Sequence, residues 1–233
     1  MWLKSPNIHC THGFSTRHGG VSSENFSSLN LGGSEDSDEN ILKNRILSLK
    51  EIGASMDQLC HLHQVHGTMV QIAKAGKQTG DALVSNEKGL VLAVSVADCY
   101  PILFYDEKNQ VIGAAHAGWR GTVGRIASKT AEAMIQLGAE LDQIQVAIGQ
   151  GICQKNFEVG AEVIEQFWKE GFPERIVEGK YIDLAASNLF VLVEYGIPKE
   201  NIWVMNRCTF EDDFFSYRRD KGKTGRMWGV IAL

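Results

Sequence analysis

The segment from Leu90 to Ala115 constrains the fold more than any other part of the chain. Leu90 to Val96 is a continuous Val-rich run, apolar at successive rather than alternate positions. A strand of that kind is covered on both faces. Pro101 leads into Ile102-Leu103-Phe104-Tyr105, and Asp106-Glu107-Lys108-Asn109 makes a polar turn. Val111 to Ala115 then returns as the second arm of a hairpin.

The cover for these strands is expected from helices. After a loose stretch from Ser22 to Asn40, Asp38 is the expected N-cap of a helix. That helix carries Ile41, Leu42, Ile46, Leu49 and Ile52 on one face, and Gly53 stops it. A second helix is expected from about Thr122 to Leu137, with Val123, Ile126, Ala127, Ala131, Met134 and Ile135 inward and Gly138 as its stop. Further helices are expected over Val159–Lys169 and Asp183–Tyr195. Strands are expected over Ile144–Ile148 and Ile202–Met205, and within Arg226–Leu233. Strands and helices alternate, some strands are adjacent, and no linker or repeat divides the chain. The expectation is an α/β fold: one domain over residues 1–233, a layered mixed sheet with flanking helices. A chain of 233 residues buries enough surface to fold without a disulfide or a metal.

Charge and cysteine content narrow the partners. A net charge of −5 argues against binding nucleic acid through a broad basic surface. No apolar run approaches the roughly 20 residues that span a bilayer. Met1-Trp2-Leu3-Lys4-Ser5-Pro6 lacks the pattern of a secretory signal. Five cysteines are an odd number, and their spacings form no framework. These features lead us to expect a cytoplasmic protein with reduced thiols, a monomer or small homo-oligomer without nucleic-acid or membrane partners.

Three segments place a His or Cys beside Gly or Pro at an expected strand end. They are His61-Leu62-His63-Gln64-Val65-His66-Gly67, Val96-Ala97-Asp98-Cys99-Tyr100-Pro101 and Ala115-His116-Ala117-Gly118-Trp119-Arg120-Gly121. Such positions form the rim of a sheet, where side chains from separate strands converge. Zinc takes imidazole nitrogen and thiolate, and three protein ligands leave a fourth position open. Bound zinc lowers a water's pKa to roughly 7. His66, Cys99 and His116 are the candidate ligands. Their spacing decides nothing alone, because no compact CxxC or HExxH motif forces them together. A free cysteine after a buried strand also serves as a small core hydrophobe, and either histidine also serves as a hydrogen-bonded structural group. A thiol enzyme, with Cys99 as nucleophile and His116 as base, uses the same residues.

Other signals fail. Gly222-Lys223-Thr224 ends like a P-loop, but Tyr217 occupies the earlier glycine position. Gly149-Gln150-Gly151 begins like a dinucleotide fingerprint, but Gln154 replaces the third glycine. The zinc nucleobase-deaminase signature is absent. His61 and His63 form a His-x-His pair of the copper-oxidase kind, yet seven histidines are too few for a multicopper set.

Taken in order, the motifs resemble the laccase-domain family, once labelled multicopper polyphenol oxidases and now regarded as purine nucleoside phosphorylases. They start with His12-Gly13-Phe14-Ser15-Thr16-Arg17-His18-Gly19-Gly20-Val21-Ser22, followed by Asn30-Leu31-Gly32 and Asn44-Arg45. Gln64-Val65-His66-Gly67, Asp81-Ala82-Leu83-Val84, Ala97-Asp98-Cys99 and His116-Ala117-Gly118-Trp119-Arg120-Gly121 come next. Phe157-Glu158-Val159-Gly160, Cys208-Thr209 and Phe215-Ser216-Tyr217-Arg218-Arg219-Asp220 complete the set. The resemblance puts the family's metal ligands on His66, Cys99 and His116. It implies phosphorolysis of adenosine, inosine, guanosine and S-methyl-5'-thioadenosine, with adenosine deamination, on a single α/β domain. Its older label implies the alternative of a copper-dependent phenol oxidase. A non-enzymatic interaction module is a further alternative that no residue favours. One loop departs from the family: Gln150 stands where proline is usual, Cys153 where glycine is common and Asn156 where cysteine is frequent.

Roles around the ligands follow from the chemistry such a reaction needs. Arg17, Arg45, Arg120 and Arg218 are candidates for gripping phosphate in bidentate fashion, each with a surface ion pair as the plain alternative. Arg45 is also placed in the catalytic set. His63 is a candidate general acid or base. Asp98 is a candidate for orienting the adjacent Cys99, or for capping its loop. Phe14, Trp119 and Tyr217 are candidate purine stackers, and aromatics of this kind also fill cores.

Overall fold

The computed structural model describes residues 2–33 and 35–233. The strands are β1 (Trp2–Leu3), β2 (Thr11–Ser15), β3 (Leu59–His63), β4 (Val70–Ile72), β5 (Gly76–Thr79), β6 (Ala82–Ser85) and β7 (Val91–Val96). They continue with β8 (Tyr100–Asp106), β9 (Val111–Ala117), β10 (Gln145–Ile148), β11 (Val177–Glu178), β12 (Tyr181–Ile182), β13 (Ile202–Val204) and β14 (Met227–Ala232). The helices are α1 (Asp38–Glu51), α2 (Trp119–Val123), α3 (Ile126–Gln136), α4 (Ala161–Lys169) and α5 (Leu184–Tyr195).

Two six-stranded mixed sheets pack face to face, in the orders β1-β2-β14-β7-β3-β5 and β13-β10-β8-β9-β6-β4. Side-chain alternation explains why β7 is apolar at every position but Ser95. Leu92 and Val94 point between the sheets, where they meet Leu103, Ile112 and Ala147. Val91 and Ala93 point the other way, into a cluster with Leu49, Leu59 and Trp228 beneath α1. The far face of the second sheet is covered by a core that includes Ile126, Ala131 and Met134 of α3, and Val191 and Leu192 of α5. The layers therefore run helix, sheet, sheet, helices, the expected α/β class. The β8–β9 hairpin forms as expected, with Ile102 opposite Ala115 and Tyr105 opposite Ile112.

Several local expectations are corrected. Ser37, not Asp38, caps α1, its side chain accepting from the Asn40 N–H. Leu42 and Ile46 are exposed, because α1 turns Asn44 inward. The Asn44 amide accepts from the Val21 N–H and donates to Ser22 Oγ and to the carbonyls of Ser28 and Asn30. Asn44 thereby pins the N-terminal loop against the helix. The expected helix over 122–137 is two helices, because Arg125 adopts a left-handed conformation with φ of 65°. Ile135 is exposed rather than inward. The thiols are not all free: Cys153 and Cys208 form a disulfide, while Cys10, Cys60 and Cys99 remain single. The two partners lie 55 residues apart in sequence, so spacing carried no sign of the pair. Among the described residues no helix is long and apolar enough to cross a membrane.

Candidate metal centre

Three chain segments meet beyond one end of the sheets. His66 follows β3 in a tight loop, with φ of 59°. Cys99 occupies the turn between β7 and β8, directly after Asp98, whose φ is 91°. His116 sits in β9, opposite Pro101 of β8. Non-glycine residues in the left-handed region are uncommon, and two of them here aim the chain at one point. The ligand atoms of His66, Cys99 and His116 lie within 4.8 Å of one another. The two imidazoles meet edge to face with their centroids 4.8 Å apart.

Asp81, immediately before β6, holds this arrangement. Its carboxylate is fully buried. It accepts from His116 Nδ1 at 2.9 Å, the His66 N–H at 2.9 Å and the Gly67 N–H at 2.7 Å. The bond to Nδ1 leaves His116 Nε2 facing Cys99, the carboxylate–histidine arrangement that orients metal ligands. Gly118 provides the space. A Cβ there would lie 3.0 Å from Cys99 Sγ and 3.3 Å from His66 Cδ2.

The three side chains are electrostatically coupled. Burial pushes the Cys99 thiol up, but the facing His116 and His66 outweigh it and bring the thiol down to about 6. His116, which burial alone would lower, is raised to about 9 by the Cys99 thiolate and by Asp81. Metal ligands bind as thiolate and neutral imidazole, so metal binding at these residues is coupled to proton release. Two imidazoles and a thiolate form a donor set that suits zinc and also copper.

A cavity of about 1150 Å³ opens beside the three residues. His63, Arg45, Asp98, Tyr217 and Arg218 all line it. Arg17 and Arg120 are not among the lining residues. Arg17 donates from Nε to the Ser27 carbonyl and lies over Phe215, and Arg120 lies over Trp119. The Asp98 side chain turns to the C-terminal loop, accepting from Thr209 Oγ1, Ser216 Oγ and the Arg218 N–H. It therefore clamps that loop over the cavity and acts on Cys99 only through the backbone. Of the three candidate stackers, Tyr217 alone lines the cavity. Phe14 is fully buried between the sheets, and Trp119 packs on the helical core. In the atypical loop, Ile152 and Phe157 reach the cavity, whereas Gln150 is buried and donates to the Ser15 carbonyl.

Sequence reasoning missed Asp81, Phe157, Arg226 and His61 as parts of the site. Arg226 lines the cavity beside Tyr217, its guanidinium anchored to the carbonyls of Thr224 and Gly225. An acid directly before an apolar strand was the available signal for Asp81.

The sequence profile of the multi-copper polyphenol oxidoreductase laccase family matches residues 11–233. The chain belongs to that family. A purine nucleoside phosphorylase from Deinococcus radiodurans is 45% identical over 235 residues, covering 99% of this chain and 92% of that protein. Adenosine deaminase RL5, from an unknown prokaryotic organism, is 36% identical over 248 residues, covering 97% and 95%. The crystal structure of YlmD from Geobacillus stearothermophilus superposes with a TM-score of 0.93 at 32% identity, covering 99% of this chain and 95% of that one.

Proposed function

We propose that residues 1–233 form one catalytic domain, a zinc-dependent purine nucleoside phosphorylase that also deaminates adenosine. The observation that carries this reading is the convergence of His66, Cys99 and His116 beside a cavity walled by arginines. The names of relatives similar over almost the whole chain support it. The substrates in this reading are adenosine, inosine, guanosine and S-methyl-5'-thioadenosine, with phosphate.

The three residues are the proposed ligands, and Asp81 fits them for the task by holding His116 with Nε2 free. A metal ion held by these three residues would supply Lewis-acid chemistry in the cavity. The chain's own groups do the rest. Arg45 and Arg218 present guanidinium groups to an anion. Tyr217 and Phe157 offer aromatic faces to a purine. His63, exposed at the end of β3, carries protons between the cavity and solvent. Arg17 and Arg120 take no part in this reading, because neither lines the cavity. Zinc is favoured over copper because multicopper oxidation needs several donor clusters, and the described residues hold a single such group.

The test is product analysis with adenosine. With phosphate, the metal-loaded protein is expected to release adenine and ribose 1-phosphate. Without phosphate, it is expected to release inosine. Oxygen uptake with a phenol and no nucleoside turnover would replace this reading with the copper oxidase. Cys99 facing His116 also suits a thiol enzyme, with Cys99 as nucleophile and His116 as base. Activity that survives chelators and is lost on alkylation would favour that reading.

A further inference from the structure

We propose that the cavity has two working ends, and that His61 is the phosphate-holding group at the end under α1, away from His66, Cys99 and His116. This rests on the phosphorolytic reading above and deepens it.

His61 lies in the middle of β3, next to Lys77 of β5 and Ala93 of β7. It shares a strand face with Leu59, which packs beneath α1. The extended chain from His61 to His63 covers about 7 Å, before the loop that carries His66 begins. His61 is therefore a separate part of the wall, facing the helix that carries Arg45.

Neither ring nitrogen of His61 has a hydrogen-bond partner among the described residues. Nδ1 is shut off from solvent, while the residue lines the cavity. An unpaired buried acceptor is tolerated better than an unpaired buried N–H. The proton therefore belongs on Nε2, the nitrogen left for the cavity, and His61 offers the cavity a donor. Burial, together with the positive charges of Arg45 and Lys77, brings its pKa down to about 4, so the ring stays neutral at working pH.

Two cationic side chains, Arg45 and Lys77, line the cavity near His61. Arg45 is anchored through Nε to the Leu31 carbonyl, which leaves its terminal nitrogens free for a ligand. Gly32 makes room for them, since a Cβ there would lie 2.5 Å from one of those nitrogens. Lys77 adds an ammonium. The carboxylates on the cavity wall are Asp38, at the start of α1, and Asp98, which the C-terminal loop engages. A guanidinium, an ammonium and a neutral N–H together suit a tetrahedral oxyanion, whose unprotonated oxygens accept.

This division explains how one cavity serves two reactions. In phosphorolysis, a phosphate oxygen bonds to C1′ as the C1′–N9 bond breaks. The electron pair leaves with the purine, which takes up the proton of the hydrogen phosphate. Deamination needs water at C6 and no phosphate. The anion end is therefore used by one reaction only.

The experiment compares zinc-loaded wild type, His61→Leu and His61→Gln, with adenosine as substrate. The Gln amide nitrogen sits close to the Nε2 position and keeps the donor. In His61→Leu, the KM for phosphate is expected to rise at least tenfold, while the KM for adenosine moves less than twofold and deamination serves as the reference reaction. His61→Gln is expected to stay within threefold of wild type in phosphate KM. An unchanged phosphate KM in His61→Leu overturns the proposal, as does an equal loss of both reactions in both variants. Calorimetric titration with inorganic phosphate reads the subsite without turnover. Weaker binding in His61→Leu supports it and equal binding overturns it, even if wild type proves inactive on nucleosides.

Discussion

Replacing Asp81 by Asn tests whether the buried carboxylate builds the metal centre. Its two oxygens take the Gly67 and Val65 N–H groups on one side, and the His66 N–H and His116 Nδ1 on the other. An amide of the same shape keeps one oxygen and turns the other into a donor. In the better orientation, it retains the His66 and His116 bonds and sets NH₂ against the Gly67 and Val65 N–H groups. That loses the Gly67 bond and the longer Val65 bond, together worth about 1–3 kcal/mol. The His116 bond also changes from charge-assisted to neutral, which costs about 1 kcal/mol more. The metal-free variant is expected to lose about 2–4 kcal/mol in urea unfolding. Zinc affinity is expected to fall about 10–100-fold, because the same carboxylate orients His116 and raises its basicity. Competition with a chromophoric chelator measures it. Zinc binding within twofold of wild type would refute the argument that Asp81 orients the site.

Gly118→Ala is expected to weaken zinc binding about tenfold or more, by pressing a methyl onto Cys99 Sγ. Gly118→Ser should do the same while adding a side-chain N-cap to α2, so chelator competition and thermal melts together separate crowding from capping. Because the folded-state pKa of His61 lies near 4, against an ordinary 6.5, the unfolded chain takes up this proton first. Stability is therefore fully present above about 6.5 and is lost as pH falls toward about 4. His61→Gln should flatten that limb of a stability–pH curve. Asp98→Ala removes the acceptor for Thr209, Ser216 and Arg218, and is expected to raise the KM for nucleoside and lower the melting temperature.

The parts legible in the sequence were those governed by burial on both faces. β7 and the β8–β9 hairpin stood out because each is packed above and below. β5 and β4 did not, since Gly76-Lys77-Gln78-Thr79 and Val70-Gln71-Ile72 are short strands at sheet edges. Leu42 and Ile46 satisfied helical periodicity, yet lie outside because Asn44 takes the inward position. The ligand residues stood out because Gly67, Gly118 and Pro101 mark the turns that bring them together. Asp81 did not, because its reach to His116 depends on β6 pairing with β9. His61 was read as one half of a His-x-His pair. Its distinct environment under Arg45 arises only once α1 lies across β3.

Zinc on His66, Cys99 and His116, acting on nucleosides, is the function we propose. Anomalous diffraction across the zinc edge, from crystals soaked in inosine, tests it most directly. The expected result is one zinc peak bonded to these three side chains, with inosine in the adjoining cavity. A peak only at the copper edge, a fourth protein ligand closing the site, or inosine bound elsewhere would contradict it.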